Sequence, residues 1–484
     1  MVARPARRRL VRALLGALVL ALVASSGALL LSYDPPRLGA GVVESPANGT
    51  TVVTSQGWHA AGESLPGRPA RLAALAPDGS VDWTHDGPDD RQSWFYDVDP
   101  LSNGNLLVVN PVRGATVVYE FDPESGERVW TERFDLPDVH DVDLINGDEL
   151  LVAGIAYDED RISRDRVFVY NRTRGAVTWE WQFADHFPDD AGPGVTAKDW
   201  THVNDVDRVR EGEFLVSVRN LDQVITVNRS TKEIELRLGA DGDHDVLYEQ
   251  HNPQYLESED GTPTILVADS ENDRIVEYER TANSSRGSER TDGARTPADG
   301  EWERTWTLEG NLNWPRDADR LPNGNTLVVD SMNHRVLEVT PTGDVVWEAS
   351  VPWATYDAER ARLGDEPGGP TIADQNATGA YELRGGSGAG VAVLPPVPAV
   401  VEQLSAGTPI AKPATRLAER WHHLVPWVTP TWLPVWSATL LAGALAVLLG
   451  WAVGEGVANR GRLARRVGGL YDGVRQRVSQ SDRD

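Results

Sequence analysis

Arg316-Asp317-Ala318-Asp319, with Asn323-Gly324-Asn325-Thr326-Leu327-Val328-Val329 just behind it, decides the fold because it occurs again. Tyr96-Asp97-Val98-Asp99, followed by Asn103-Gly104-Asn105-Leu106-Leu107-Val108-Val109, has the same order. After each comes a second apolar run, Val336-Leu337-Glu338-Val339 or Tyr119-Glu120-Phe121. A turn at Gly343 or Gly126 then leads to a run ending in Trp347 or Trp130. Further copies start at His140 and Asn204. A looser copy starts at His251, with an insertion near Glu259-Asp260-Gly261. A partial copy from Leu72 to Trp83 is expected to pair with strands near Thr51 to Thr54. Short β-branched runs separated by Asn-Gly, Asp-Gly and Thr-Gly turns read as successive antiparallel hairpins.

The anchor residues Asp99, Asp143, Asp207, Gln254 and Asp319 are 44, 64, 47 and 65 residues apart. Repeats of roughly 40–50 residues with four strands each are propeller blades. Two loops, Asp185 to Asp199 and the polar stretch Thr281 to Gly300, which is expected to be mobile, account for the long intervals. The expected fold is therefore all-β: a six-bladed β-propeller over residues 45–360, flanked by one transmembrane helix at each end. A seventh blade and a β-sandwich are the alternatives. Residues 361–432, rich in Gly, Pro and Ala, read as a stalk.

Composition narrows the partners. Of 484 residues, 73 are acidic and 46 basic, and the net charge is −27. The Arg residues crowd the ends, leaving 34 basic and 69 acidic residues between Arg12 and Val453. Phosphate binding needs a basic face, so nucleic acid is excluded as a partner. Lys198, Lys232 and Lys412 are the only lysines. An acidic, Lys-poor chain suggests a halophilic source, in which salt screens self-repulsion. The absence of Cys excludes disulfides, thiol catalysis and Cys-ligated zinc.

Residues 13–31 are uncharged and mostly apolar, long enough as helix to cross a bilayer. Arg4, Arg7, Arg8, Arg9 and Arg12 precede them. A retained anchor and a cleaved signal sequence both fit; Arg7-Arg8 also permits a twin-arginine export signal. Residues 433–453 form a second uncharged span, with Trp427, Trp432, Trp436 and Trp451 at or near its borders and Arg460, Arg462, Arg465 and Arg466 beyond it. The positive-inside rule places residues 1–12 and the tail 454–484 in the cytoplasm and the propeller on the external face of the cell membrane. Asn-x-Ser/Thr triplets begin at Asn48, Asn171, Asn228, Asn283 and Asn376; they permit glycosylation.

Aligned blades show what stands at equivalent places. Three residues before the second Asp of each copy are Tyr96, His140, Asn204, His251 and Arg316. Equivalent blade positions lie on a ring around the propeller axis. His202 lies two residues before Asn204, on the same face of a strand, and Arg219 follows the strand Phe214 to Val218. Imidazoles, an amide and guanidiniums at one channel mouth make a site for an anion such as sulfate or phosphate. A His there is also a candidate nucleophile or proton carrier. The competing reading is a set of hydrogen-bonded strand ends. The Asp pairs recur from blade to blade, which assigns them to turns and strand ends. Asp241-Gly242-Asp243-His244-Asp245 lacks the Gly and Glu of a calcium loop and reads as a solvated acidic loop. No metal site and no cofactor are expected.

Thr201-His202-Val203-Asn204, Phe214-Leu215-Val216-Ser217-Val218-Arg219-Asn220, Gln250-His251-Asn252 and Ala268-Asp269-Ser270-Glu271-Asn272 together resemble the arylsulfate sulfotransferase family. The composition suggests a halophilic archaeal member. Members of that family are six-bladed propellers that use no nucleotide donor. The resemblance, over roughly residues 50–350, implies ping-pong transfer of a sulfuryl group from an aryl sulfate ester to a phenolic acceptor through a sulfohistidine. It implies His251 as nucleophile. His202, Asn204 and Arg219 would hold sulfuryl oxygens, with His140 assisting and Arg316 and Tyr96 completing the substrate site. The chain departs from the family's bacterial pattern in having no disulfide and in carrying His251-Asn252 where His-Asp is usual. A non-catalytic, ligand-binding cell-surface propeller is the alternative.

Overall fold

The computed structural model describes residues 4–57, 59–60, 63–64, 70–86, 94–197, 199–281, 300–386 and 394–481. They form two compact units: residues 36–427, and a helical unit made of residues 1–35 and 428–484. The expected mobile loop lies, over residues 282–299, outside the described residues, as does Asn283.

The larger unit is a six-bladed β-propeller, so the repeat count holds. Blades two, three and four run in sequence order from the inner strands Asp97–Pro100, Val142–Leu144 and Val203–Arg210. Blade five starts at His251–Glu257 and blade six at Pro315–Arg320. Blade one is a composite. Its inner strand, Thr355–Arg360, comes from the far end of the propeller sequence and pairs antiparallel with Thr51–Ser55. This closes the ring and leaves no open edge between the first and last blades.

The recurring Trp residues sit between blades. Trp347 of blade six donates its indole N–H to Pro77 O of blade one (3.1 Å), and Trp306 of blade five donates to Pro341 O of blade six (2.9 Å). Trp181 of blade three donates to Lys232 O of blade four (3.0 Å). All three rings are buried. Each fills an inter-blade layer and satisfies its one polar atom there, which is why Trp outnumbers Phe in these strands. Buried ion pairs join the same layers: Arg320 to Glu277 at 2.8 Å and Arg360 to Glu338 at 2.5 Å.

The stalk expected at 361–432 is corrected. Residues 361–427 belong to the same compact unit as the blades. Ile372 is buried in an inter-blade core, and its N–H bonds Glu277 Oε1 (2.7 Å). Gly379–Glu382 adds a parallel fifth strand to blade five. Two helices follow, α2 (Val397–Ser405) and α3 (Ala411–Val428). The Gly and Pro residues that suggested a spacer instead let an irregular segment wrap the blades. At Gly369, a Cβ would stand 2.2 Å from Leu321 O. His422-His423 lies on α3. His423 Nε2 bonds Asp273 Oδ1 (2.9 Å) and Nδ1 approaches Glu271 Oε2 (3.4 Å). Burial alone would push His423 down, but the two carboxylates raise it to about 10. The imidazolium therefore pins α3 to blade five.

The helical unit pairs α1 (Arg4–Ser32) with α4 (Val435–Ser481). Arg12 contacts Glu455 and Ser26 contacts Ser437, so the pair is antiparallel. Ser26 Oγ donates to Ser437 O (3.1 Å) and Ser437 Oγ to Ser26 O (3.2 Å), exchanges that tie apolar helices where little else is polar. Arg7–Ser32 and Val435–Arg460 are each long and apolar enough to cross a membrane, and most of their surface is uncovered, including Leu14, Leu18, Leu445 and Leu449.

Candidate active site

The inner strands bring the five aligned residues together. Tyr96 and His140 stack at 4.1 Å between ring centroids, and His140 lies 4.7 Å from His202. A sixth ring member was missed by the sequence reading. Tyr356 lies 4.7 Å from Tyr96, 5.8 Å from His251 and 5.9 Å from His140, with the Arg316 guanidinium 4.7 Å from its ring centroid. Its signal was present: Tyr356-Asp357-Ala358-Glu359 repeats the anchor pattern with Glu for the second Asp. It belongs to the blade whose inner strand is some 300 residues from its neighbours, so alignment of successive copies passed it by.

Arg219 reaches the ring by a different local device. The second strand of blades four, five and six ends in a short 3-10 turn: Arg219–Leu221, Ser270–Asn272 and Ser331–Asn333. Each turn is closed by a left-handed residue, Asp222, Asp273 or His334. The first turn position thus carries Arg in blade four and Ser in blades five and six. Arg219 Nη1 donates to Asn220 Oδ1 (3.1 Å), and Nη2 pairs with Glu249.

Ser270, at that same turn position, fixes the state of His251. Its hydroxyl donates to Pro315 O (2.7 Å), so towards His251 Nδ1 (2.8 Å) it accepts. The other neighbour of Nδ1 is Glu249 O (3.1 Å), which only accepts. Nδ1 therefore carries the proton and Nε2 the lone pair. Burial first, then the charges of Arg219 and Arg316, hold His251 well below an ordinary imidazole. The same causes bring His140 to about 3, and burial and Arg219 bring His202 to about 4, although Asp199 bonds His202 Nδ1 at 2.7 Å. All three rings are neutral at physiological pH. Burial also lowers Arg316 to about 10, so it stays cationic.

The site holds polar atoms with nothing to bond. Arg219 Nε, Arg316 Nε, Asn204 Oδ1 and the Tyr356 hydroxyl are buried without a partner, and His140 Nδ1 has the Asp138 carboxylate no nearer than 3.9 Å. Arg316 Nη1 bonds Gln56 Oε1 (2.7 Å) and Asn204 Nδ2 bonds Gln250 O (2.9 Å). A natural interior rarely leaves such groups unpaired, so this cluster is a place where water or a bound molecule would be held. Backbone strain gathers at the same place, with His202, Glu249 and Asn252 at φ of 45°, 47° and 35°.

Next to the ring opens a cleft of about 850 Å³. Asp138, Asp199 and Glu249 line it, and they bond Tyr96, His202 and Arg219 respectively. The ring thus lies one side chain behind the cleft, and the free cationic face expected from the sequence is closed by carboxylates. Trp94, Tyr157 and Tyr248 supply aromatic walls, and His244 stacks on Tyr248 at 3.8 Å. The acidic loop at Asp241 to Asp245 is part of this wall, held by Gly192 N–H to Asp241 Oδ2 (2.7 Å).

No curated protein matches the chain. Among solved structures it is similar to a Bacteroides caccae protein of unknown function (12% identity; 65% of this chain and 98% of that one; TM-score 0.41). It is also similar to a chain of a nidogen/laminin complex (13%; 64% and 97%; 0.42) and to virginiamycin B lyase from Staphylococcus aureus (9%; 54% and 70%; 0.32). Residues 70–293, the span that holds Tyr96, His140, His202, Asn204, Arg219 and His251, match the model of the family described as Arylsulfotransferase (ASST), and with the six-bladed propeller this supports that family.

Proposed function

We propose that this chain is a membrane-anchored sulfotransferase that moves a sulfuryl group from an aryl sulfate ester to a phenol through a sulfohistidine at His251, without a nucleotide. The observation that carries the reading is the pair of acceptors at His251 Nδ1, Glu249 O and Ser270 Oγ, which assigns the proton to Nδ1 and leaves the Nε2 lone pair in the field of Arg219 and Arg316. In the first half-reaction Nε2 attacks sulfur, the ester S–O bond breaks, and the phenolate leaves with the bonding pair. The imidazole, now bonded at both nitrogens, carries the positive charge. In the second half-reaction a phenol oxygen attacks the same sulfur, its proton passes to solvent, and the N–S bond breaks to restore neutral His251. Arg219 and Arg316 would offer their unpaired Nε–H groups to the sulfuryl oxygens, where charge persists throughout. Neutral His140 and the second Nδ2–H of Asn204, whose first is held by Gln250 O, would complete the oxygen site, and Tyr96 and Tyr356 would pack the ester oxygen side. The aromatic walls of the cleft suit an aryl group.

Purified protein should transfer sulfuryl from nitrophenyl sulfate to a phenol in the absence of any nucleotide. Retention of the intact ester, with no turnover over a panel of acceptors in high salt, would favour a binding propeller instead.

A neutral nucleophile with a depressed pKa gives a distinctive pH profile. Protonation removes the lone pair only far below the ordinary value of 6.5. The rate of phenol release from donor alone, as kcat/KM, is therefore expected to stay level from about pH 8 down to about pH 5. A fall centred near 6.5 would mean an unshifted imidazole and would contradict this placement.

Antiparallel packing of α1 on α4 supports a retained two-helix anchor with both ends on the cytoplasmic side, where the Arg clusters lie. In intact cells both terminal tags should resist external protease while the propeller is accessible to impermeant labels. An externally cleaved C-terminal tag would overturn this topology.

A further inference from the structure

Below the histidine ring the channel narrows to a cavity of about 20 Å³, large enough for a single water-sized body. Two layers of inner-strand side chains surround it. The first layer is Asp97, Asp141, Asp205, Asn252, Asp317 and Asp357. The second is Asp207, Asp319 and Glu359, with Asp99, Asp143 and Gln254 at the equivalent strand positions off the lining, and Asp365 and Glu366 close the far end. The cavity lining contains no basic residue.

The sequence assigned these Asp pairs to strand-end bonding, and part of the set does that. Asp357 accepts the Val98 N–H (2.9 Å), Asp97 that of Val142 (3.4 Å) and Asp317 that of Ala358 (3.2 Å), each from the following blade. Asp141 does the same with Val206. Asp205 breaks the series. The position that would donate to it in blade five is Pro253, which has no N–H. Asp205 is only 5% exposed, and its Oδ2 has no N–H donor. Asp207 Oδ2, Asp319 Oδ2 and Glu359 Oε2 are also buried and have only one another's carboxyls to bond, Asp205 with Asp207 and Asp319 with Glu359; the Asn252 amide oxygen is unpartnered, and all five residues line the cavity. Five such oxygens, with no cationic group among the lining residues, around a space for one small body are a ligand set, not a stitching pattern.

We propose that this cavity binds one divalent cation of the calcium class. The donors are all oxygen, carboxylate with one amide, which suits a hard cation and not zinc or copper. Mg²⁺ keeps several waters and demands octahedral geometry, and a space of this size leaves no room for retained water. Ca²⁺ takes six to eight oxygens in flexible arrangement, as a double ring of side chains from six blades supplies. Asp365 and Glu366, partly exposed, stand at the solvent end where the ion would enter.

The test uses the full chain in detergent, stripped with a chelator and dialysed into low salt. Equilibrium dialysis should find one tightly held Ca²⁺ per chain, and Ca²⁺ should raise the melting temperature where equal Mg²⁺ or K⁺ does not. Asp205→Asn combined with Asp319→Asn should weaken binding at least tenfold. Glu366→Gln, at the open end and free of core packing, should weaken it as well and guards against failure of the double variant to fold. No stoichiometric Ca²⁺ at millimolar concentration, or equal protection by Mg²⁺ or K⁺, would overturn the proposal. So would unchanged affinity in folded Asp205→Asn/Asp319→Asn or in Glu366→Gln.

Discussion

Replacement of His251 by Ala is expected to lower sulfuryl turnover on the order of 10⁴-fold or more, the scale on which a covalent nucleophile's loss is felt. The fold should survive. His251 starts its strand, and its side chain bonds outward to Ser270 and the Glu249 carbonyl; it belongs to none of the inter-blade apolar clusters. Steady-state rates beside a circular dichroism melt make the check. Wild-type turnover in a folded His251→Ala protein would remove His251 from the chemistry. His140→Ala is the internal comparison: the ring stacks on Tyr96 and its Nδ1 lies 3.9 Å from the Asp138 carboxylate, a supporting place, so its loss should cost less than the loss of His251.

Arg219→Lys is expected to lower turnover by about 10²–10³-fold while some donor binding survives. The charge remains, but three things go. The Nε–H aimed at no protein group disappears, as does the bond to Asn220 Oδ1, and the planar fork that holds Glu249 while presenting another edge to substrate cannot be rebuilt from an ammonium. A drop in kcat larger than the rise in KM would place the lost interaction in the transition state. A change in KM alone would mean that Arg219 only gathers the anion.

Much of this site was legible because a propeller repeats. Once Tyr96, His140, Asn204, His251 and Arg316 stood at one register, rotational symmetry alone placed them on a ring, and the structure brings them together. Tyr356 escaped because ring closure draws its strand from the far end of the propeller sequence, and no local pattern links Thr355–Arg360 to Thr51–Ser55. The Arg219–Glu249 pair escaped for a related reason: residue 249 lies in a loop, outside the strand register. The segment after residue 360 misled because Gly and Pro describe local backbone freedom. They do not report what Ile372 packs against, and burial of that side chain turns a supposed spacer into part of the blade wall. The Asp pairs were read one blade at a time as strand ends. Only the radial arrangement shows that some of their oxygens meet at the axis with no basic side chain facing them.

The most direct measurement is the mass of the protein after exposure to an aryl sulfate with no acceptor present, followed by peptide mapping under mildly alkaline conditions that preserve an acid-labile nitrogen–sulfur bond. One sulfuryl group per chain on the peptide holding Gln250-His251-Asn252, discharged on addition of a phenol and absent in His251→Ala, is the expected result. Turnover without any adduct, or an adduct on His140 or His202, would contradict the assignment of His251 as the nucleophile.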